Sequence, residues 1–470
     1  MKIDWMLVKP KIAPPMDNNF IPPKLVNDGY KRKVSEVDKP EKVIIALERL
    51  NNSISRYETY ILPVGHPLFE SSLFYIERIL KFLLWQKGGW KVYVYAPTPV
   101  VNHLTTVYSE RGTRSFDYKF MGEDVYEKTF TIVHCKSENE VPLANETSQR
   151  LGRHTNGCRV GFDLGASDRK AAAVIDGEVV YTEETIWEPR KHSDPSYHYN
   201  EIITAVKTAA SKMPRLDAVG GSAAGVYVNN RAMVASLFRS VPKERFGEVR
   251  EMFNCMSKEL GVPLVVVNDG EVTALAGSMS IGNNAVLGIA MGSSEAGGYV
   301  TPTGNITDWL NELAFAPVDY NPNAPVEEWS GDKGVGANYF SQQCVFRLAQ
   351  QTGIKVPDGI TDAEKLKFIQ ELLEQNNPEA VKIWRTMGVY LGYTLAHYSD
   401  FYDIKHVLVL GRCTSGSGGP IMMEECLKVL ETEFPELREK MQVQLPDEIN
   451  RRVGQSIAAA SLPEIPTNNT

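Results

Sequence analysis

Four segments of the chain share one pattern, an apolar run that ends abruptly in glycine, serine or an acidic residue. They are CRVGFDLGAS (158–167), VPLVVVNDGE (262–271), NAVLGIAMGSS (284–294) and IKHVLVLGRCTSGSGG (404–419). Each apolar run has the length of a buried strand, and turns and helical patterns separate the runs, which predicts an α/β fold. Because ligands of such folds gather at the carboxyl ends of strands, we expect the four endings to build one shared site.

Composition excludes several classes of protein. The 470 residues are 43% hydrophobic and 23% charged, which is typical of a soluble globular protein with two or three domains. The formal net charge of −8 provides no overall basic field, so we expect neither nucleic acid nor a membrane as a partner. The six cysteines lie far apart, which indicates reduced thiols rather than three disulfides, and we expect a cytoplasmic protein without a signal peptide.

The part of the chain before these segments has a different character. Residues 1–40 are rich in Pro, Lys and Asn and predict an extended arm that lies on another part of the protein. A helix is predicted at 41–54, followed by a strand at 59–64, a core helix rather than a membrane span at 71–87, and strands at 90–96 and 127–135. The polar run 136–157 is interpreted as a linker. We expect a small α/β region whose role is a lid, a dimer contact or a packing appendage.

Two of the four endings are glycine turns suited to phosphate. In GFDLGASDRKAAAV, Asp163 closes a strand, Gly165 permits a tight turn, and Ser167 and Lys170 follow where donors beside a phosphate would lie. Asp163 could hold Mg²⁺ through water, although an ordinary hairpin turn is the simpler explanation of this segment taken alone. In GIAMGSSEAGGYV (288–300), the glycines would let backbone amides approach an anion, and a hairpin is again the alternative.

The other two endings would supply a base and a flat glycine surface. In VVVNDGEVTALAG (265–277), Asn268 could bind a hydroxyl and Asp269 could accept its proton, or the Asn-Asp-Gly sequence could simply form a turn and a helix cap. The glycines from Gly411 to Gly419 would let the backbone lie against a purine or cap a phosphate-binding helix. Neither pattern is a lysine-containing P-loop or a dinucleotide fingerprint.

The order of the four segments resembles the sugar kinase, actin and Hsp70 ATPase superfamily, and more narrowly the ROK family of sugar kinases and repressors. GFDLGASDRK is similar to that family's D-x-G-G-T-x-x-K turn, the Asn268-Asp269 segment to its N-D-A-N-A motif, and GIAMGSSEAGGYV to its G-T-G-I-G-G-G loop. The resemblance covers roughly 158–460. It implies a two-lobed actin-like (ribonuclease H-like) ATPase fold, with an N-terminal region at 1–155, lobes at 156–284 and 285–470, and a C-terminal helix that returns to the first lobe.

The resemblance also implies a function, the phosphorylation of a hydroxyl on a hexose-like sugar by ATP with Mg²⁺. Asp269 would be the general base, and Asp163 would hold Mg²⁺ through water. Residues that would bind the sugar are Asn268, Glu312 (from WLNELAFAPV, similar to G-E-x-G-H), Ser222, Asn229 and Asn230. Residues that would bind ATP are Asp163, Gly165, Ser167, Lys170, Gly292, Ser293, Gly411 and Gly418.

Several positions depart from the ROK pattern. Phe315 replaces the histidine of G-E-x-G-H, and the cysteine cluster of the family's zinc site is absent, so we expect no structural zinc. Glu327 and Glu328 fall out of register with a family glutamate. Glu295 brings negative charge to a loop meant for phosphate, which would weaken ATP binding unless the side chain points away or helps to hold a cation.

The departures leave two other functions open. One is a sugar or nucleotide sensor that has lost catalysis, and the other is an ATPase on the kinase fold that acts on an unrelated substrate. Residues 1–155 do not resemble the winged helix of the ROK repressors, which argues against a nucleic-acid partner. A homodimer is an open option for the assembly, since proteins of this fold often dimerise.

Overall fold

The computed structural model describes residues 4–146, 151–445 and 448–466, and in 448–453 it describes the backbone alone. Part of the predicted linker, residues 147–150, lies outside the described residues. We call residues 4–146 the N-terminal region, 151–281 the first lobe and 284–445 the second lobe. Each contains its own main sheet.

The N-terminal region is a four-stranded sheet covered by helices. Its helices and strands are α1 (Pro23–Ser35), β1 (Glu41–Glu48), β2 (Ile54–Ile61), α2 (Phe69–Lys87), β3 (Lys91–Tyr95), α3 (Thr98–Val107), α4 (Ser115–Lys119) and β4 (Thr131–Cys135). The strand order is β2-β1-β3-β4, with β3 and β4 parallel and the other pairs antiparallel. The predicted core helix at 71–87 is confirmed as α2, which is largely buried.

The helix predicted at 41–54 is wrong, because residues 41–48 form the strand β1. This strand lies inside the sheet, and its residues Val43 to Leu47 are all buried. A strand covered on both faces shows no alternation of polar and apolar residues, so its sequence cannot be distinguished from a buried helix by periodicity.

The first lobe contains a five-stranded sheet and a separate hairpin. Its helices and strands are β5 (Cys158–Leu164), β6 (Asp168–Ile175), β7 (Glu178–Ile186), α5 (Pro195–Ala210), β8 (Ala218–Ala223), β9 (Val226–Val228), β10 (Arg231–Val234), α6 (Phe246–Leu260), β11 (Leu264–Asn268) and α7 (Asp269–Ile281). The sheet order is β11-β8-β5-β6-β7, in which β5, β8 and β11 are parallel, and β9 pairs with β10. The carboxyl ends of β5, β8 and β11 therefore meet at one edge of the sheet.

The second lobe contains a four-stranded sheet. Its helices and strands are β12 (Val286–Met291), β13 (Glu295–Val300), α8 (Gln342–Ala349), α9 (Asp362–Glu374), α10 (Pro378–Tyr398), β14 (His406–Leu410), α11 (Gly418–Glu433), α12 (Pro435–Lys440) and β15 (Gln442–Gln444). The order is β13-β12-β14-β15, with β12, β14 and β15 parallel and β13 antiparallel to β12. The helix α10 begins where Asn377 caps it and Pro378 occupies its first position.

A last helix, α13 (Glu448–Ala460), packs against β5, β8 and α7 of the first lobe. Gly161 on β5 and Gly220 on β8 lie directly under the backbone of α13, and a Cβ at either position would collide with it. These two glycines let the helix approach the sheet closely.

The arm before β1 is extended at first and helical later. The Ile12 N–H donates to the Tyr393 hydroxyl at 3.3 Å, and the Met16 N–H donates to Thr386 Oγ1 at 3.2 Å, so the extended part lies along α10. The expectation that residues 1–40 are extended throughout is wrong, since 23–35 form α1.

Two further sequence expectations concern cysteines and membranes. None of the six cysteines is in a disulfide, and five are buried, with Cys255 exposed. Among the described residues, no helix combines the length and the apolar character needed to cross a membrane.

Candidate active site

The first-lobe side of the candidate site is built by the register of three parallel strands. Asp163 on β5 lies opposite Ser222 on β8, and Ala223 lies opposite Asn268 on β11. The buried Ser222 hydroxyl donates to Asp163 Oδ1 at 2.6 Å. Burial raises the pKa of Asp163, although the Ser222 hydrogen bond counteracts this effect. The sheet thus brings together Asp163, Ser222 and Asn268, which the sequence places far apart.

Asn268 holds the junction between β11 and α7. Its Oδ1 accepts the Gly270 N–H at 2.7 Å and its Nδ2 donates to the Gly225 carbonyl at 2.8 Å. The side chain therefore caps α7, as the alternative interpretation of the Asn-Asp-Gly sequence held. Its predicted role as a sugar ligand stays a prediction.

Asp269 is the first residue of α7, and its side chain is half-buried. Its Oδ1 accepts the Gly270 N–H at 3.0 Å. Burial raises the pKa of Asp269 to about 6, and the nearby charge of Asp163 adds to this shift. A carboxylate with this pKa is ionised at neutral pH and is more basic than an exposed aspartate, which suits a general base.

Glu312 brings a carboxyl group from the second lobe towards Asp269. Its backbone N–H donates to the Trp85 carbonyl at 3.0 Å, so the last turn of α2 holds this segment in place. Burial raises the pKa of Glu312 to about 7, and the charge of Asp269 contributes. The two carboxyl groups therefore lie within electrostatic reach of each other across the cleft between the lobes.

Glu295 does not present its charge to the predicted phosphate loop. Its side chain is 4% exposed, and neither carboxyl oxygen has a hydrogen-bond partner in the described part of the chain. The side chain points inward to Gly336, where a Cβ would collide with it. Burial raises the pKa of Glu295 to about 8, with a contribution from Glu312. The Glu295 side chain therefore points away from the predicted phosphate loop.

The two predicted phosphate turns connect antiparallel strands. The first turn, 165–167, is fastened by Trp187, whose Nε1–H donates to the Gly165 carbonyl at 2.9 Å and whose backbone N–H donates to the Ser167 carbonyl at 3.1 Å. Nearby, Lys170 Nζ lies 3.2 Å from Asp168 Oδ1. In the second turn the Gly292 N–H donates to the Ser294 carbonyl at 3.0 Å. The Ser167 and Ser293 side chains are both exposed.

Gly297 and Gly298 have a structural explanation that differs from the predicted one. They lie inside β13 and not in the turn, and β13 packs against the start of α7. A Cβ at Gly298 would collide with the Gly270 carbonyl. The expectation that these two glycines expose their amides to an anion is therefore wrong, because they bring the two lobes into close contact.

Asn229 and Asn230 form the turn of the β9–β10 hairpin. Their φ angles are 52° and 62°, in the left-handed region that a two-residue hairpin turn requires. The Asn230 carboxamide donates to the Leu264 carbonyl and accepts the Val266 N–H at 2.8 Å, so it covers part of the open edge of β11. Asn229 Oδ1 accepts from Asn51 Nδ2 at 3.2 Å. The two short runs VYV and RAMV on either side of Asn-Asn were the signal for this hairpin.

The glycines predicted to lie beside adenosine pack inside the second lobe. Gly411 has a φ of 102° and its Cα faces the backbone of Met291. Gly418 begins α11 beside the indole of Trp384, whose Nε1–H donates to the Cys413 carbonyl at 2.8 Å. Glu374 Oε1 accepts the Ser417 N–H at 2.7 Å at the start of the same helix. Contact with a nucleotide stays a prediction for both glycines.

Phe315 lies in an aromatic cluster that joins the second lobe to the N-terminal region. Its ring centroid is 4.6 Å from Trp85, 6.0 Å from Phe116 and 5.5 Å from Trp329. Below this cluster, the fully buried Lys81 pairs with Asp117 and Asp332. Glu327 accepts the Ser330 N–H at 2.6 Å within its own loop. The segment that departs most from the ROK motifs is therefore the one that holds the N-terminal region.

The described residues contain no preformed site for direct metal binding. In the described part of the chain, no group of three or more His, Cys, Asp and Glu side chains is arranged to hold a metal ion. Mg²⁺ commonly takes one or two carboxylates and completes its shell with water and phosphate oxygens. A single carboxylate such as Asp163, at the end of β5, is compatible with that mode.

Solved structures share this architecture, whereas no protein-family model and no curated protein sequence matches the chain. A ROK hexokinase from Thermus thermophilus has a TM-score of 0.50 at 16% identity, covering 64% of this chain and 97% of that chain. A ROK family transcriptional regulator, a homolog of the E. coli MLC protein, has a TM-score of 0.52 at 16% identity and covers 65% and 78%. A ROK family glucokinase from Streptomyces griseus, in complex with glucose and AMPPNP, has a TM-score of 0.49 at 21% identity and covers 64% and 98%.

The chain therefore has the two-lobed actin-like ATPase fold of the ROK proteins. The resemblance drawn from the four motifs is confirmed at the level of the fold. Proteins that share this fold include both a hexokinase and a transcriptional regulator, so the fold alone does not select between catalysis and sensing.

Proposed function

We propose that the protein is a divergent ROK-type sugar kinase that transfers the γ-phosphoryl group of ATP to a hydroxyl of a hexose-like sugar. The observation that carries the proposal is the position of Asp269, at the junction of β11 and α7, with its pKa raised to about 6. A base of this strength is ionised at neutral pH and can still accept a proton from a hydroxyl group.

In the proposed reaction the acceptor hydroxyl donates its proton to Asp269 as the oxygen attacks the γ-phosphorus. The bond between the γ-phosphorus and the β,γ-bridging oxygen breaks, and ADP leaves. Glu312, with its pKa near 7, would hydrogen-bond a neighbouring sugar hydroxyl and orient the ring. Such positioning accounts for most of the rate in phosphoryl transfer, because the protein forms no covalent bond to the phosphorus.

The phosphates would lie between the two turns at 165–167 and 292–294. The exposed hydroxyls of Ser167 and Ser293 and the backbone amides of both turns are the donors that fit phosphate oxygens. Asp163 would hold Mg²⁺ through a bound water, and the ion would supply neutralisation of phosphate charge. The Ser222 hydrogen bond orients the Asp163 carboxylate for this role.

Phosphorylation of a panel of hexoses and amino-hexoses with ATP and Mg²⁺ tests the proposal directly. We expect one or more sugars to be converted to a phosphate ester with equal release of ADP. ATP hydrolysis that no sugar stimulates would contradict the proposal and would favour an ATPase that acts on another substrate.

A specific observation favours a second candidate, a sugar sensor without catalysis. Phe315 is packed among aromatic rings, and Gly411 and Gly418 are occupied by packing contacts within the second lobe. Calorimetry separates the candidates, because a sensor binds sugar while ATP with Mg²⁺ produces neither heat nor turnover. The cytoplasmic location and the homodimer stay predictions under either function.

A further inference from the structure

A cavity of about 710 Å³ lies where the N-terminal region meets both lobes. Its walls include residues 49–51, Ser53 and Tyr126 of the N-terminal region, the β9 strand, residues 265–268 of β11, and the segment 307–310. This volume is within the range of about 300–1,000 Å³ that small-molecule pockets usually have. The N-terminal region, whose role the sequence left open, therefore forms one wall of a ligand-sized space.

The cavity lies beside the candidate general base. Asn268 lines it and immediately precedes Asp269 in the chain. Tyr227 also lines it, and burial together with the charge of Asp269 raises the pKa of its hydroxyl. Gly225, which accepts the Asn268 hydrogen bond, is a third lining residue. A sugar whose reactive hydroxyl contacts Asp269 would thus have this space next to its ring.

The walls are suited to a neutral ligand rich in hydroxyl groups. The rings of Tyr126 and Tyr227 lie among the amide side chains of Asn51 and Asn229, whereas the Trp309 ring is already in contact with Lys87 and Tyr299. The buried Arg49 is paired with Asp308 at 3.2 Å and with Glu146 at 2.8 Å, so its charge is already balanced. Aromatic rings pack on the C–H groups of a sugar, and amide groups form hydrogen bonds with its hydroxyls. Arg49 and Asp308 are already paired, so they offer no free charge to an ionic ligand.

The exposed edge of β11 adds backbone groups to the same wall. This strand is outermost in its sheet, and the Asn230 amide covers Leu264 and Val266 along its free edge. Alternate residues of a strand present their backbone groups to the same edge. The Val266 carbonyl and the Asn268 N–H therefore follow along the same free edge, on the side of the cavity.

We propose that this cavity is a subsite for a second sugar unit, so that the preferred acceptor is a hexose that carries a further glycosyl group. The proposal rests on the sugar-kinase function, because it extends the acceptor from the position beside Asp269. It also gives the N-terminal region a role in selecting the substrate. A free hexose in the cleft would leave this space filled with water.

Calorimetry with the full chain tests the subsite by comparing glucose with glucose disaccharides of α and β linkage. We expect one or more disaccharides to bind at least about tenfold more tightly than glucose. Val228→Phe would fill the cavity from β9, and we expect it to remove most of this ratio. Val180→Phe is the matched control, since Val180 lies on β7 and is 49% exposed, and it should leave the ratio unchanged.

A second pair of variants removes a polar group without changing the backbone. Asn51 and Asn376 have φ angles of 58° and 57°, so glycine fits both positions without strain. Asn51→Gly should lower the disaccharide-to-glucose affinity ratio by about threefold, and Asn376→Gly should not change it.

Equal or weaker binding of every disaccharide relative to glucose would overturn the subsite, as would a ratio that a folded Val228→Phe protein retains. The absence of binding by any of these sugars would overturn the subsite, and the panel of hexoses and amino-hexoses would then decide whether the sugar kinase is also contradicted. Tight disaccharide binding without phosphoryl transfer would support the subsite and contradict the kinase. Transfer to glucose with no preference for a disaccharide would contradict the subsite alone.

Discussion

Asp269 in the first lobe and Glu295 in the second lobe both carry a raised pKa, but their surroundings differ. Asp269 accepts the Gly270 N–H and lies at a cleft beside Asp163 and Glu312. Glu295 is almost fully buried, and no donor among the described residues reaches its oxygens. The first lobe thus presents hydrogen-bonded polar groups to the cleft, whereas the second lobe keeps Glu312 near Asp269 and turns Glu295 into its interior.

The ROK-like motifs of the two lobes also differ, because those of the first lobe keep their polar side chains and one in the second lobe carries Phe315 instead of histidine. The first lobe keeps Asp163, Ser222 and Asn268 on adjacent strands with satisfied hydrogen bonds. The second lobe carries Phe315 in an aromatic cluster with Trp85 of the N-terminal region. We infer that proton transfer depends on the first lobe and that the divergent segments of the second lobe serve to hold the N-terminal region. Four variants test this division.

The largest expected effect belongs to Asp269→Asn. An amide cannot accept the proton, so we expect kcat/KM for sugar phosphorylation to fall by about 10³-fold or more, near the upper part of the range for general-base catalysis. Initial rates with ATP and Mg²⁺ measure the change. The control is Asp358→Asn, which alters an exposed carboxylate on a second-lobe loop and should retain full activity. An active Asp269→Asn enzyme would remove Asp269 from the mechanism.

Phe315→Ala should have the next largest effect, on stability. Loss of a buried phenyl ring commonly costs about 3–5 kcal/mol, and urea unfolding measures the loss. Phe253→Ala is the control, because Phe253 is also buried but lies in the first lobe. We expect faster hydrogen exchange at residues 115–125 in Phe315→Ala and not in Phe253→Ala. Similar exchange in both variants would contradict the role of Phe315 in holding the N-terminal region.

Ser222→Ala should have a smaller effect, on the Mg²⁺ dependence of activity. Without the Ser222 hydroxyl the Asp163 carboxylate loses a hydrogen bond that orients it and lowers its pKa. We expect about tenfold lower kcat/KM and a higher Mg²⁺ requirement. Ser257→Ala also deletes one hydroxyl hydrogen bond in the first lobe, to the Val262 carbonyl, and should leave the Mg²⁺ dependence unchanged.

Glu295→Gln should change how stability depends on pH. The pKa of Glu295 is raised from 4.5 to about 8 in the folded protein, so the folded state holds a proton that the unfolded state has lost. Wild-type stability therefore falls as pH rises from about 4.5 to 8, and Glu295→Gln avoids this loss. The Tm advantage of the variant should grow from pH 5 to pH 9.

The exposed Glu178→Gln serves as the control for this series, and its Tm difference from wild type should not vary with pH. A Tm advantage of Glu295→Gln that is equal at pH 5 and pH 9 would show that Glu295 is not held in a proton-binding interior position. Such a result would weaken the contrast between the two carboxyl groups.

The sequence predicted the parts of the fold in which local pattern and tertiary position agree. The apolar runs before Asp163, Asn268, Gly292 and Gly411 are strands, because a buried strand that ends at a cleft must change abruptly from apolar to small or polar residues. The strand β1 was missed for the opposite reason, since burial on both faces removes the alternation that marks a strand.

The candidate site could be predicted only in part, because side-chain direction depends on register. Glu295 lies beside a turn in sequence, but its place at the start of β13 turns the side chain inward. Asn230 was expected to bind sugar, which stays a prediction, and nothing in the sequence indicated that its amide covers the free edge of β11. No sequence pattern reveals that a strand edge needs a partner, or that the N-terminal region closes a cavity beside Asn268.

The pH dependence of kcat/KM for sugar phosphorylation tests the central claim most directly. Asp269 must be ionised to accept a proton, and its pKa is raised to about 6. We predict that log kcat/KM rises with unit slope below about pH 6 and reaches a plateau above it, because the free enzyme's base sets this limb. A rate that is independent of pH between 5 and 8, or the absence of transfer to any sugar, would contradict the account.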